Sequence, residues 1–320
     1  MKAGLLRVVA PAALAVAIAL WVAALPFGAV GLWWRRRYGL SHQGYDGWLR
    51  DQAVSLAVQV VLVTLAVAAF MALATWLGRS WWLAGGPALA LAGTVFLLAY
   101  PLVVQPLFNR SEPLPDRELA AKIEVLAREE GVTVKSVEVT DASRQTTAAN
   151  AYSVGIGPSE RVVFWNTLLD GRFTEREVRF VAGHELAHLA RDHILKSIGW
   201  FTLFLLPILG VAAYLTERRG GLRNAGTVPL LLLAIVAVQL VALPLRNAIT
   251  RRYESEADWV ALTATRDPAA ARGLFHEFVR TSLQDPSPPW WAHVLLDDHP
   301  TSLDRIDLSE GTHMVFLTEE

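Results

Sequence analysis

His184 and His188 stand four residues apart in "RFVAGHELAHLARDH" (179–193), with Glu185 directly after the first. On a helix, positions i and i+4 lie on one face, one turn apart, so two imidazoles there can approach a single metal ion from the same side. Glu185 lies about 100° further round the helix. It need not compete as a ligand and can instead hold a water and accept its proton, as in metal-assisted hydrolysis. The chain has no cysteine, so a thiolate metal site and a disulfide framework are both excluded. Gly183, just before His184, costs a helix roughly 1 kcal/mol relative to alanine. A close approach of backbone or substrate to this face would explain that cost.

A catalytic zinc usually has three protein ligands and one open position. A third histidine six residues beyond His188 is missing, since Ile194 stands there. His193, five residues on, is expected on another side of the helix as a surface or membrane-interface group. "RRYESEADWVAL" (251–262) offers Glu254 and Asp258, four apart on an expected helix. Glu254 could complete a His-His-Glu set, with Asp258 accepting a hydrogen bond from a ligand imidazole. Spacing alone leaves a second reading open, in which Glu254, Glu256 and Asp258 form a solvated acidic face paired with Arg251 and Arg252.

The elements that must position these residues follow from periodicity. Arg117 to Glu130 has helical spacing of Leu119, Ile123, Leu126 and Ala127, and Gly131 ends it. Ser136–Thr140, Ala151–Gly155 and Arg161–Trp165 read as strands, the last two joined at Gly157-Pro158. Thr174 with Glu177 forms a capping box that starts the histidine helix.

Charged residues are 18% and hydrophobic residues 53%, a balance unlike that of soluble domains. Five uncharged runs account for it: Val8–Trp34, Ala53–Leu77, Trp81–Asn109, Ser197–Thr216 and Thr227–Leu245. Each is near or above the roughly 20 residues that a helix needs to cross a bilayer. The first is too long for a signal peptide and runs into Arg35-Arg36-Arg37, so it is expected to be retained. The expected organisation is an amino-terminal membrane region (1–109), a first polar block (110–193), a transmembrane hairpin (194–245) and a second polar block (246–320). Two spans separate the polar blocks, so both lie on one side of the membrane and can form one domain. Arg35, Arg36, Arg37, Arg50, Arg110, Arg246, Arg251 and Arg252 would share that face. Lys2, Arg7, Arg79, Arg218, Arg219 and Arg223 would lie opposite, a bias favouring a cytoplasmic catalytic face. A net charge of −1 gives no indication of nucleic-acid binding.

With these residues in hand, the sequence resembles the integral-membrane zinc endopeptidases that include the type I CAAX prenyl proteases and, more distantly, the bacterial heat-shock membrane metalloproteases. "GHELAHLARDH" and "YESEAD" carry the metal motif. "YGLSHQGYDGWLRDQ" (38–52), "YPLVVQPLFNRSEPL" (100–114), "SRQTTAANAYSVGIG" (143–157), "RVVFWNTLLD" (161–170) and "DDHPTSLDRI" (297–306) resemble the CAAX branch. The resemblance implies one Zn2+ on His184, His188 and Glu254, Glu185 as general base, and Asp258 behind a ligand. It implies His299 as an oxyanion donor, Arg305 paired with a carboxylate, and Asn150, Ala151 and Tyr152 on an edge strand that pairs with substrate backbone. His42, His276, His293 and His313 have no match.

The expected fold is a predominantly α-helical integral membrane protein of about five transmembrane helices, with an α+β zincin-type domain at the membrane face. The expected activity is zinc-dependent endoproteolysis near the membrane. Its partners would be the lipid bilayer and a peptide or protein substrate, possibly prenylated at its C-terminus, in a bacterial inner membrane. The CAAX branch has seven spans around a chamber where this chain shows about five, so a general quality-control protease is a further reading. A catalytically silent scaffold with structural zinc is another, opposed by the lack of a clear fourth protein ligand.

Overall fold

The computed structural model describes residues 2–319, apart from the side chains of 2–17, 101–102 and 313–319. Lys2, Arg7 and His313 therefore lie outside the described side chains. In chain order the elements are α1 (Lys2–Arg37), α2 (Tyr45–Leu77), α3 (Trp81–Val103), the single turn α4 (Gln105–Phe108), β1 (Ser111–Pro113), α5 (Arg117–Glu129), β2 (Ser136–Thr140), β3 (Ala151–Val154), β4 (Arg161–Trp165), α6 (Glu175–Ala190), α7 (His193–Glu217), α8 (Val228–Thr265), α9 (Pro268–Ser282), α10 (Trp290–Leu296) and α11 (Ser302–Glu319).

Among the described residues, four stretches are long and apolar enough to cross a membrane: Ile18–Arg37, Tyr45–Tyr100, His193–Glu217 and Ala225–Thr265. The second holds both α2 and α3, broken where Gly78 takes a φ of 60° that other residues adopt only at a cost. The five apolar runs thus become five helices, α1, α2, α3, α7 and α8. In none of the four stretches is more than 28% of the apolar window buried. Phe27, Leu65, Leu91, Leu233 and Val241 point outward. An outward apolar face with no water-soluble covering is what a hydrocarbon solvent asks of a helix. Trp33, Trp34, Trp76, Trp200 and Tyr214 are exposed near the ends of the runs, where amphipathic rings sit at a bilayer interface.

The chain divides into two compact units. One comprises residues up to Arg35, Gln43–Leu97 and Ser197–Ala242. Its core joins Phe70 and Ala74 of α2, Trp81 of α3, Leu209 and Ala213 of α7, and Leu231 and Ala234 of α8. The other comprises Arg36–His42, Leu98–Lys196 and the residues from Leu243 onward. It contains a four-stranded sheet in the order β1-β2-β4-β3, parallel only between β2 and β4. α5 and α6 pack over the sheet and α9 joins them. Ile123, Leu126, Phe164, Leu168, Phe180, Leu186 and Leu274 are all buried in one core.

Local chemistry sets the helix starts. Asp116 accepts from the N–H groups of Glu118 and Leu119 at 3.0 Å. Thr174 and Glu177 exchange the two bonds of the expected capping box, at 2.7 and 3.3 Å. Asp267 caps α9 and also binds the Arg176 guanidinium, tying the start of α9 to the first turn of α6. β1 was not anticipated: three residues ending in proline carry no strand signal, and it exists only as an edge paired to β2.

Candidate metal centre

α6 presents His184 and His188 with Nε2 atoms 3.1 Å apart. α8 brings Glu254 beside them, Oε2 at 3.1 Å from His184 Nε2 and Oε1 at 3.5 Å from His188 Nε2. One ligand atom from each of the three residues falls within 4.8 Å of the others. Both other ring nitrogens are engaged. His184 Nδ1 meets Asp258 Oδ1 at 2.9 Å, and His188 Nδ1 meets His193 Nδ1 at 2.9 Å. The two Nε2 lone pairs are therefore left aimed at one point. Glu254 Oε2 is buried there, and although it is close to His184 its alignment makes no hydrogen bond. Two nitrogens each about 2.0–2.1 Å from one tetrahedral ion would stand roughly 3.3 Å apart. The donor set fits a divalent ion that takes imidazole and carboxylate ligands.

The electrostatics agree. Burial would lower the basicity of His184, but the carboxylates of Asp258 and Glu254 outweigh it, so positive charge is favoured at this point, as a proton or as a metal ion on Nε2. Burial and that neighbouring positive charge push His188 down, keeping it neutral and able to ligate. Burial also raises Glu185 above the ordinary carboxylate range, opposed by His184 and by hydrogen bonds from Ser153. A base shifted toward neutrality suits proton transfer at ordinary pH. Arg305 forks onto Asp258 at 2.6 and 2.7 Å and lies over the Phe275 ring. Asp258, 1% exposed, is thereby held between a guanidinium and the His184 imidazole.

His299 stands at the same point, with Nε2 3.2 Å from Glu254 Oε2 and Nδ1 2.8 Å from Asp298. Burial would lower it, but Asp298 and Glu254 raise it, so the ring is disposed to donate. A cavity of about 270 Å³ opens beside it, lined in part by Ala149, Asn150, Phe278, His299 and Arg305. Asn150 accepts from Trp165 N–H at 2.9 Å, which places β3 at the sheet edge with a definite phase. In an antiparallel pair the bonded residues alternate. Asn150, Tyr152 and Val154 therefore bond to β4, while Ala151 and Ser153 turn their backbone groups to the free edge. The Tyr152 hydroxyl is taken by Gln105 at 2.6 Å.

Two expectations need correction. His193 is not a surface group: it is 3% exposed, stacked on Tyr253 at 4.5 Å and set against His188. A continuous helix would carry His193 to another side, but Asp192 takes a left-handed φ of 54° between α6 and α7. That break resets the phase and turns His193 back toward the pair. The solvated acidic face is also absent. Arg251 donates to the carbonyls of His293 and Asp297, not to Glu254. Gly183 faces α8 and α5: a Cβ there would meet Ala261 Cα at an ordinary contact of 3.5 Å, and the one tight neighbour would be the Glu130 carboxylate at 3.2 Å. Ser153 was missed; the alternation of β3 was the signal that could have found it.

Comparison with known proteins gives a consistent result. The model "CAAX prenyl protease N-terminal, five membrane helices" matches residues 10–110, where this chain has the three long helices α1, α2 and α3. The "Uncharacterized metalloprotease YhfN" of Bacillus subtilis is 29% identical over 89% of this chain and 69% of its own length. A "CAAX prenyl protease 1 homolog" of Arabidopsis thaliana is 29% identical over 71% of this chain and 55% of its own length. The chain thus spans little more than half the length of that plant relative. Among solved structures, the crystal structure of S. mikatae Ste24p shares the fold, with a TM-score of 0.80 at 18% identity over 90% of this chain and 72% of that one. The model of peptidase family M48 matches residues 113–311, which include both histidines, Glu254 and Arg305. That match covers well over half of the chain, which therefore belongs to peptidase family M48.

Proposed function

We propose that the chain is a membrane-embedded zinc metalloendopeptidase that cuts peptide bonds close to the bilayer, with CAAX-type prenyl-protein processing as its first assignment. The observation that carries this reading is the convergence of His184, His188 and Glu254 with Glu185 one residue from the first ligand. A zinc ion held by those three would supply Lewis acidity, polarising a carbonyl and making water acidic near neutral pH.

The other steps fall to the chain's own residues. An extended substrate adds as a strand to the outer edge of β3, using the backbone groups of Ala151 and the carbonyl of Ser153. Glu185 takes the proton of the attacking water and passes it to the leaving amine. The His299 ring donates to the developing oxyanion. Asp258, braced by Arg305, fixes the tautomer of His184 so that Nε2 stays a lone-pair donor. The likeness to a Bacillus relative and the arginine bias support a bacterial inner membrane with the site facing the cytoplasm.

A broader specificity is the second reading, a membrane protease that accepts substrates without a lipid. It is favoured by the likeness to YhfN, which is described as an uncharacterized metalloprotease and not as a prenyl protease. A farnesylated CAAX peptide and its unprenylated twin, cleaved by purified protein with and without chelator, separate the readings. Chelator-sensitive cleavage of the farnesylated peptide alone supports CAAX processing. Equal cleavage of both supports a general membrane protease. Cleavage of neither, or cleavage that survives chelation, overturns the zinc peptidase.

A further inference from the structure

α10 is seven residues long and carries four exposed large apolar side chains: Trp290, 77% exposed, Leu296, 71% exposed, and Trp291 and Leu295. Pro288 and Pro289 stiffen its approach. Its carboxyl end is strapped to α8. Buried Asn247 donates to the carbonyls of Val294 and Leu295, and Arg251 to those of His293 and Asp297. These bonds give partners to carbonyls at the helix end, of which that of His293 also accepts the Asp297 N–H, so the position of α10 along α8 is set.

That position has a depth. The apolar run of α8 ends at Leu245, which is still outward-facing. Asn247 and Arg251 lie roughly 3 and 9 Å further along the helix at 1.5 Å per residue. The interfacial layer on each side of a hydrocarbon core is about 5–7 Å deep. Asn247 lies within that layer and Arg251 just beyond it, so the straps hold α10 at the level of the lipid headgroups, where tryptophan is favoured. Arg246 and Arg252 are exposed on the same stretch of α8 and suit anionic headgroups.

We infer that α10 is an interfacial anchor whose Trp290, Trp291, Leu295 and Leu296 insert into the headgroup layer of the bilayer. The loop that follows carries Asp298 and His299, so the anchor sets the height of that histidine against the lipid surface. The inference rests on the membrane reading of the chain and is independent of its chemistry.

The absence of cysteine makes the test direct. Trp291→Cys and, separately, Leu296→Cys carry a nitroxide in the full chain, reconstituted in phosphatidylcholine–phosphatidylglycerol vesicles. Collisions with oxygen, which partitions into lipid, are compared with collisions with a water-soluble nickel chelate. Val241→Cys serves as the lipid reference and Val125→Cys on α5 as the aqueous reference. The expected result is that both α10 labels lose nickel collisions and keep oxygen collisions, as at 241. Labels that meet nickel as freely as position 125 would sink the inference. Labels shielded from both reagents would overturn it too, pointing to a protein partner on this helix. None of these readouts depends on peptide cleavage.

Discussion

Glu185 and His193 make the sharpest predictions at the scale of single residues. Glu185→Gln keeps the shape of the side chain and removes its basicity. The zinc content of this variant should match the wild type while turnover falls by roughly 10²–10⁴-fold, the usual weight of a general base. Measured by metal analysis and peptide cleavage, full activity in a loaded variant would remove the assignment. His193 acts one bond further out. For His188 Nε2 to keep its lone pair, its Nδ1 must carry the proton, and His193 Nδ1 must accept it across 2.9 Å. His193→Phe keeps a ring on Tyr253 but cannot accept; His193→Asn restores an acceptor. Zinc affinity by chelator competition should drop about 10–100-fold in the first and largely recover in the second. Equal affinity in all three would leave His193 a packing residue. Of the two, only Glu185 could be read from the sequence. Helical spacing identified the pair and the base, whereas the left-handed turn at Asp192 hid His193 from any count along the chain.

Among elements, the contact of α5 with α6 carries a buried carboxylate. Glu130 ends α5, and neither of its oxygens finds a hydrogen bond. Burial is the leading cause that raises it from 4.5 to about 8, with His184 and Arg191 pulling partly the other way. The folded chain therefore favours the protonated form. That contribution is whole below about pH 4.5 and is lost as the pH climbs to about 8, when a charge must be held in the interface. Melting temperatures of wild type and Glu130→Gln should coincide near the lower value and diverge near the upper, with the wild type the less stable. Parallel curves would mean that Glu130 reaches water. The ends of α5 and α6 were visible in the sequence through Asp116, Thr174 and Glu177, since caps are local chemistry. The meeting of Gly183 with Ala261 was not, because it joins residues far apart in the chain.

For the whole molecule, the arginine bias is the ground for the proposal that the candidate metal centre faces the cytoplasm. In intact cells an impermeant maleimide should leave Val125→Cys unlabelled and react with it only after lysis; labelling before lysis would invert the topology. Chelation makes a second expectation at this scale. A metal bound only by the folded state stabilises it by mass action, so removing it should lower the melting temperature and restoring zinc should recover it; an unchanged melt would mean that the donors hold no ion. The sequence by itself determined the five apolar helices, the helical His-Glu-x-x-His pair and the candidate third carboxylate, because periodicity, run length and capping act over a few residues. The tertiary structure alone decided that Glu254 turns toward the imidazoles, that Asp258 is clamped by Arg305, that His193 backs His188 and that Asn247 and Arg251 hold α10. Those contacts join residues distant in the chain, and their geometry depends on how the helices pack, which no local spacing encodes.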